Sequence, residues 1–272
     1  TISADSVSQN STFTFQTTNG KDVTVTFPDS DSDGVLDFKD YETLVGHWTF
    51  EPGEELKDLM GNFADIILKG AKIEDGELDL DAGKWALATY DKGPDIGPDK
   101  TMVVWIYMDD LGVTRGAPLA INKSSADMFD AIVYAERQPF QWMAGSSHFR
   151  RTEDAKPGFQ ENSKGKDLIQ LAISYQDDGG NAHIKIYRKG DKIGDYTKGP
   201  IRSWVKGDME ALFGPRALIG GTAHGWVVCR VEDARIYNAV LTQKELKGLT
   251  ENTLDVEAAG KLATTWSAIK IR

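Results

Sequence analysis

Cysteine is nearly absent. Cys229 is the single one among 272 residues, so no intrachain disulfide can staple this fold. Its neighbours Val227, Val228 and Val231 mark it as a buried structural thiol rather than a nucleophile. Positive charge is also short: 31 Lys and Arg stand against 42 Asp and Glu, a formal net charge of -11. A field of that sign repels nucleic-acid backbones and anionic membranes, so neither is expected as a partner. No apolar run approaches the length of a membrane span, so no insertion is expected. Helical periodicity is scarce, and no repeat of solenoid or propeller period is present. Several catalytic signatures are missing too: a G-x-S-x-G elbow, a His pair at zinc spacing, a glycine-rich phosphate loop. The start, Thr1-Ile-Ser-Ala-Asp5, reads like a mature or trimmed chain.

What is there is acidic patterning and short strands. Asp29, Asp31 and Asp33 alternate, Gly34 follows, and Asp37 and Asp40 close a run of about a dozen residues. Calcium prefers such a cage of oxygen ligands, with a glycine at the sharp turn and a backbone carbonyl, here that of Val35, just after it. A solvated acidic linker would need neither this spacing nor the glycine. Calcium is therefore the expected cofactor, with Asp29, Asp31, Asp33, Val35, Asp37 and Asp40 as its ligands. The last ligand is Asp rather than the bidentate Glu of sensor loops. A weak loop suits millimolar external calcium, so a secreted or cell-surface location is expected.

Ahead of the loop, Ser11–Thr18 and Lys21–Phe27 alternate apolar and polar residues around Asn19-Gly20, a β-hairpin signal. From Leu44 onward short strands recur between Gly and Asp turns, at 47–50, 77–80, 85–88, 101–107, 131–134, 141–143, 168–175, 183–187, 217–219 and 226–231. Many short strands predict a two-sheet antiparallel sandwich. Thr242-Gln-Lys-Glu245 is a capping box opening a short helix. The tail places Val256, Ala259, Ala263, Trp266 and Ile269 at helical spacing, an amphipathic C-terminal helix. The expected divisions are 1–42 for hairpin and calcium loop, 43–250 for the sandwich, and 251–272 for the helical tail.

The calcium run resembles thrombospondin type 3 and dockerin-like repeats of secreted proteins. A second resemblance spans about residues 44–250. Its motifs are Gly46-His-Trp48-Thr-Phe50-Glu51, Asp58-Leu-Met-Gly61-Asn62, Met102-Val-Val-Trp105-Ile-Tyr107, and above all Glu232-Asp233-Ala-Arg235-Ile236-Tyr237-Asn238-Ala-Val-Leu241-Thr-Gln-Lys-Glu245. These resemble laminin-G-like, concanavalin A-like jelly rolls of bacterial surface proteins. The resemblance implies an all-β jelly-roll sandwich that binds glycans or proteins on its concave face or loop rim. It also implies a second calcium, with Glu51 and Glu232 at the comparable places. A rival reading pairs Glu232 with Arg235 on a solvent-facing strand.

For carbohydrate binding, sugars stack on aromatic faces while charged and amide groups hold their hydroxyls. Two segments carry such residues: Phe140–Arg151, with Trp142, His148 and Arg150, and Gly220–Trp226, with His224 and Trp226. Arg150 and Arg151 would suit an acidic or sulfated polysaccharide. Packing of Trp142 and Trp226 in the core is the competing reading, and Trp48, Trp85 and Trp105 are expected in the core. No strand carries the paired carboxylates of the laminarinase-like glycosidases, and the Gln-x-His motif of jelly-roll alginate lyases is not matched. The expected function is a non-catalytic, polysaccharide-binding module. The alternatives are a lyase or glycosidase with an unrecognised site, for instance Arg150, His148 and Tyr134, or a protein-interaction and adhesion spacer. The oligomeric state is left open.

Overall fold

The computed structural model describes residues 10–16, 22–28, 43–123, 125–249 and 251. The chain divides after Leu44 into two compact units. In the first, β1 (Asn10–Gln16) and β2 (Asp22–Pro28) form an antiparallel hairpin, Asn10 facing Pro28 and Gln16 facing Asp22. The calcium loop at 29–40 and the helical tail at 252–272 lie outside the described residues.

The second unit is a two-sheet antiparallel sandwich. One sheet has six strands in the order β11-β10-β9-β15-β7-β4. These are β4 (Ile67–Lys69), β7 (Trp85–Thr89), β9 (Ala117–Asn122), β10 (Phe129–Tyr134), β11 (Trp142–Ser146) and β15 (Glu210–Gly214). The other has eight strands, β14-β13-β12-β8-β18-β6-β5, with β3 also paired to β18. Its members are β3 (Leu44–Trp48), β5 (Lys72–Glu74), β6 (Glu77–Leu80), β8 (Lys100–Asp110), β12 (Leu168–Asp178), β13 (Asn181–Arg188), β14 (Asp191–Pro200) and β18 (Val228–Tyr237). A small hairpin, β16 (Ala217–Ile219) and β17 (Thr222–His224), stands apart, and α1 (Gln243–Gly248) follows β18. Among the described residues no helix is long and apolar enough to cross a membrane.

Alternation builds the core. In β8, Met102, Val104, Ile106 and Met108 point inward, and in β12 Ile169, Leu171, Ile173 and Tyr175 do the same. They meet Trp48, Tyr134, Trp142 and Phe213 from other elements in one buried cluster. Burying such large side chains supplies most of the stabilisation, at about 1.5–3 kcal/mol for each aliphatic or aromatic side chain. Asp58 orders the turn after β3. Its carboxylate accepts backbone N–H groups of His47 (2.8 Å), Met60 (3.1 Å), Asn62 (2.8 Å) and Phe63 (2.9 Å). The helix starts as its capping box predicts: Thr242 Oγ1 accepts from Glu245 N, and the Glu245 carboxylate accepts from Thr242 N.

The six-stranded sheet is apolar on its outer face as well. Leu87, Ala120, Val133, Met143 and Leu212 form a second buried cluster there, completed by Ala217 of β16. Leu218 packs against it, and its N–H donates to Asn122 Oδ1 at 3.1 Å. Asn122 Nδ2 in turn donates to Glu210 Oε1 at 2.8 Å. The β16–β17 hairpin is thus folded onto the outer face of the six-stranded sheet and covers it where the hairpin lies.

One buried ionic group links the sheets. Asp130 of β10 meets Lys100 of β8 at 3.2 Å and accepts two bonds from Arg151, at 3.0 and 2.7 Å. All three are buried. Burial alone would raise the Asp130 carboxyl, but Lys100 and Arg151 outweigh it and hold it below the ordinary carboxylate value.

Candidate functional site

The residues expected to bind carbohydrate divide between core and surface. Trp142 has no exposed area, lies against Tyr134 with ring centroids 4.9 Å apart, and donates its indole N–H to Glu161 Oε2 at 2.9 Å. It presents no face for a sugar to stack on. Tyr134 is equally buried. His148 has 70% of its side chain exposed, stands at φ 53, and faces Asp127 at 3.3 Å. Arg150 is exposed beside it, whereas Arg151 is turned inward onto Asp130. Phe149, a neighbour that the sequence did not single out, is 38% exposed with the Arg137 guanidinium 5.4 Å from its ring centre.

Glu51 is exposed, and Glu232 is half-buried. Glu232 is the extra residue of a β-bulge, because Val231 faces Ile106 and Asp233 already faces Trp105. The bulge puts Asp233 and Arg235 together on the outer face of the eight-stranded sheet. Arg235 pairs with Asp233 (2.6 Å), Asp233 meets His47 (3.2 Å), and the guanidinium stacks on Trp105 at 4.6 Å. All are buried, so Arg235 does not sit on a solvent-facing strand. Among the described residues no group of three or more His, Cys, Asp or Glu side chains is gathered as a metal cluster.

His224 and Trp226 belong to a rim where four segments meet. Arg115, in the loop before β9, forms a bridge with Trp226. Arg216 donates from Nη1 to the Arg115 carbonyl at 3.1 Å, and its backbone N–H donates to the His224 carbonyl at 3.0 Å. The other end of the Arg216 guanidinium meets Glu136 Oε1 at 3.2 Å. Glu136 sits in the loop joining β10 and β11, next to the Arg137 that stacks on Phe149. Trp85 of β7, expected in the core, is half-buried beside Gly214 and packs against the buried cluster on the outer face of the six-stranded sheet.

Glycines make this convergence possible. A side-chain carbon at Gly116 would overlap the Trp226 backbone, and one at Gly225 would overlap the Arg115 carbonyl. The rim therefore brings backbone against backbone, leaving Trp226 and His224 half-exposed near charged groups. Burial pushes the Glu136 carboxyl above its usual range, against the pull of Arg216 and Arg115. A half-desolvated carboxylate held by guanidinium is a strong acceptor for hydroxyl donors. Glu136, Arg216 and Arg115 carried no sequence signal, since they lie on separate loops. Gly116, Gly214 and Gly225 were the available hint of close backbone approach.

No protein-family model matches the sequence, and no curated protein matches it. Solved structures do match by shape. Domain 4 of AbnA, a GH43 extracellular arabinanase from Geobacillus stearothermophilus, solved with arabinotriose, superposes with a TM-score of 0.53 at 15% identity. The match covers 75% of this chain and 97% of that one. The binding domain of botulinum neurotoxin DC, solved with SialylT, gives a TM-score of 0.51 at 12% identity, covering 76% of this chain and 50% of that one. The chain thus spans about half the length of the neurotoxin domain. Topology and likeness together define an all-β jelly-roll sandwich of the concanavalin A-like kind.

Proposed function

We propose that this sandwich is a non-catalytic carbohydrate-binding module that takes its glycan on the rim around the β10–β11 loop. The observation that carries the reading is Glu136, held by Arg216 and flanked by Arg115, beside the half-exposed Trp226. Half-exposed aromatic rings offer stacking platforms, and the charged groups fix hydroxyls. The same loop carries Arg137 to the exposed Phe149, which extends the polar and aromatic surface along the rim. The β16–β17 hairpin covers part of the outer face of the six-stranded sheet, which favours the rim over that part of the face. Two domains of like shape were solved with an arabinotriose and a sialylated ligand, which supports the glycan class.

Calcium is part of the proposal. Asp29, Asp31, Asp33, Asp37 and Asp40 with the Val35 carbonyl form an all-oxygen donor set suited to it. The ion would stiffen the chain ahead of the sandwich and take no part in recognition. An extracellular location goes with it.

The test is affinity electrophoresis through gels cast with neutral, uronic-acid and sulfated polysaccharides. Selective retardation by one class is expected. Unretarded migration through every gel would remove the glycan reading and leave the adhesion spacer in its place.

A further inference from the structure

Arg115 combines two features. Its backbone lies at φ 76, a left-handed conformation that a non-glycine residue seldom adopts and that costs about 1–3 kcal/mol. That conformation is fixed from several sides. Its N–H donates to the Tyr134 carbonyl at 2.8 Å, its own carbonyl accepts from Arg216, and its backbone bridges Trp226. The side chain that this strain positions is exposed and, among the described residues, has no carboxylate within salt-bridge distance. Arg150 and Arg202 share that lack of a salt bridge, whereas Arg137, Arg151, Arg188, Arg216, Arg230 and Arg235 are paired; Arg115 differs from those two in standing at the rim beside Trp226. Phe50, Asp75, Ala135, Phe140, His148, Phe149 and Lys189 also stand at positive φ, so the conformation fixes where the Arg115 side chain projects, and its exposed place at the rim carries the inference.

We propose that Arg115 is the anchor for the carboxylate of a uronic-acid-bearing glycan; this rests on the glycan reading above and narrows it. The nearby Glu136 would accept sugar hydroxyls, and Trp226 would stack on the ring. Guanidinium meets carboxylate as a planar two-pronged donor, which a lysine ammonium does not reproduce. The alternative arginine pair offered by the sequence is incomplete, because Arg151 is closed on Asp130. The net charge of -11 repels an acidic polymer at long range. That repulsion is screened beyond about 8 Å at physiological salt, whereas the contact pair at Arg115 is not.

The experiment compares gels cast with polygalacturonate, its methyl ester, and neutral arabinan. Wild type, Arg115→Asn, Arg115→Lys and Trp226→Ala are run in each, with thermal melts as a folding check. Asn tolerates positive φ, so Arg115→Asn is expected to melt no lower than wild type. It should lose retardation by the acid about tenfold, and Arg115→Lys should recover only part of it. The ester should retard wild type about tenfold less than the free acid. Equal retardation by acid and ester, or an Arg115→Asn that runs as wild type, would overturn this inference. If arabinan retards wild type and Trp226→Ala abolishes it, the glycan reading survives that loss. If no gel retards wild type, both fall together.

Discussion

Trp142 and Glu161 hold one another in place: the indole N–H donates to Glu161 Oε2 at 2.9 Å, inside the sandwich. The same carboxylate accepts from Arg188 Nε and Nη at 2.9 and 2.8 Å, and from the backbone N–H of Asn162 and Ser163. The bond anchors the loop after β11 to the core and removes Trp142 from the surface. Arg188, stacked on Phe159 at 4.1 Å, extends the strut outward.

This strut makes stability depend on pH. Burial alone would raise the Glu161 carboxyl, but Arg188 and Trp142 outweigh it and hold it at about 2, against 4.5 for an ordinary Glu. The folded state therefore binds this proton less readily than the unfolded chain. Its contribution, on the order of 3 kcal/mol, is complete above about 4.5 and is lost as pH falls toward about 2. Glu161→Gln should flatten that part of the profile and lower stability at neutral pH. Thermal melts between pH 2 and pH 7 check it; a variant profile that parallels wild type throughout would contradict it.

The ionic group at Asp130 gives a second expectation. Asp130→Ala leaves Lys100 and Arg151 buried without their counter-charge, which should cost about 3–5 kcal/mol. Replacing Lys100 by Met in the same chain should return part of that loss, because one of the two stranded cations is gone. Urea unfolding of the single and double variants measures both changes. A double variant no more stable than Asp130→Ala would show that the charges do not couple.

The rim should be sensitive to one methyl group. Gly116→Ala and Gly225→Ala each drive a new carbon into backbone, and Gly225 also stands at φ 78. Each should destabilise by about 2 kcal/mol or more and weaken glycan retention beyond what stability explains. Gly179→Ala is the control. It shares positive φ, at 61, but meets nothing within 4 Å, so it should lose stability without losing retention.

Calcium gives a local expectation. Without the ion, five carboxylates between Asp29 and Asp40 repel one another, and the segment should open to protease. Limited proteolysis with and without a chelator, read by mass spectrometry, should place the new cuts between Asp29 and Asp40. Cuts that ignore chelator would contradict a calcium loop.

β8, β12 and β13 stand close to where the sequence placed them. β13 keeps an alternation of buried and half-exposed positions, whereas β8 and β12, buried along most of their length, were legible as long runs rich in β-branched and aromatic residues. β9 and β15 are shorter and were missed. Ala117–Asn122 and Glu210–Gly214 are buried at every position, between the core and the β16–β17 hairpin, so no period of two remains. Trp85 and Trp142 show the limit for single aromatics, since packing or exposure is settled by partners far along the chain. The bulge at Glu232 cannot be read from composition, and it sets which face of the sheet Asp233 and Arg235 share. The rim depends on loops that touch only after folding, which is why His224 and Trp226 were visible and Glu136, Arg216 and Arg115 were not.

The most direct test of the rim is affinity electrophoresis of three variants in whichever polysaccharide retards wild type. Trp226→Ala and Glu136→Gln should each weaken retention about tenfold with melts that stay cooperative. His148→Ala, on the exposed turn after β11, should run as wild type. If His148→Ala loses retention while the two rim variants keep it, the glycan is bound elsewhere and the assignment of the rim is wrong.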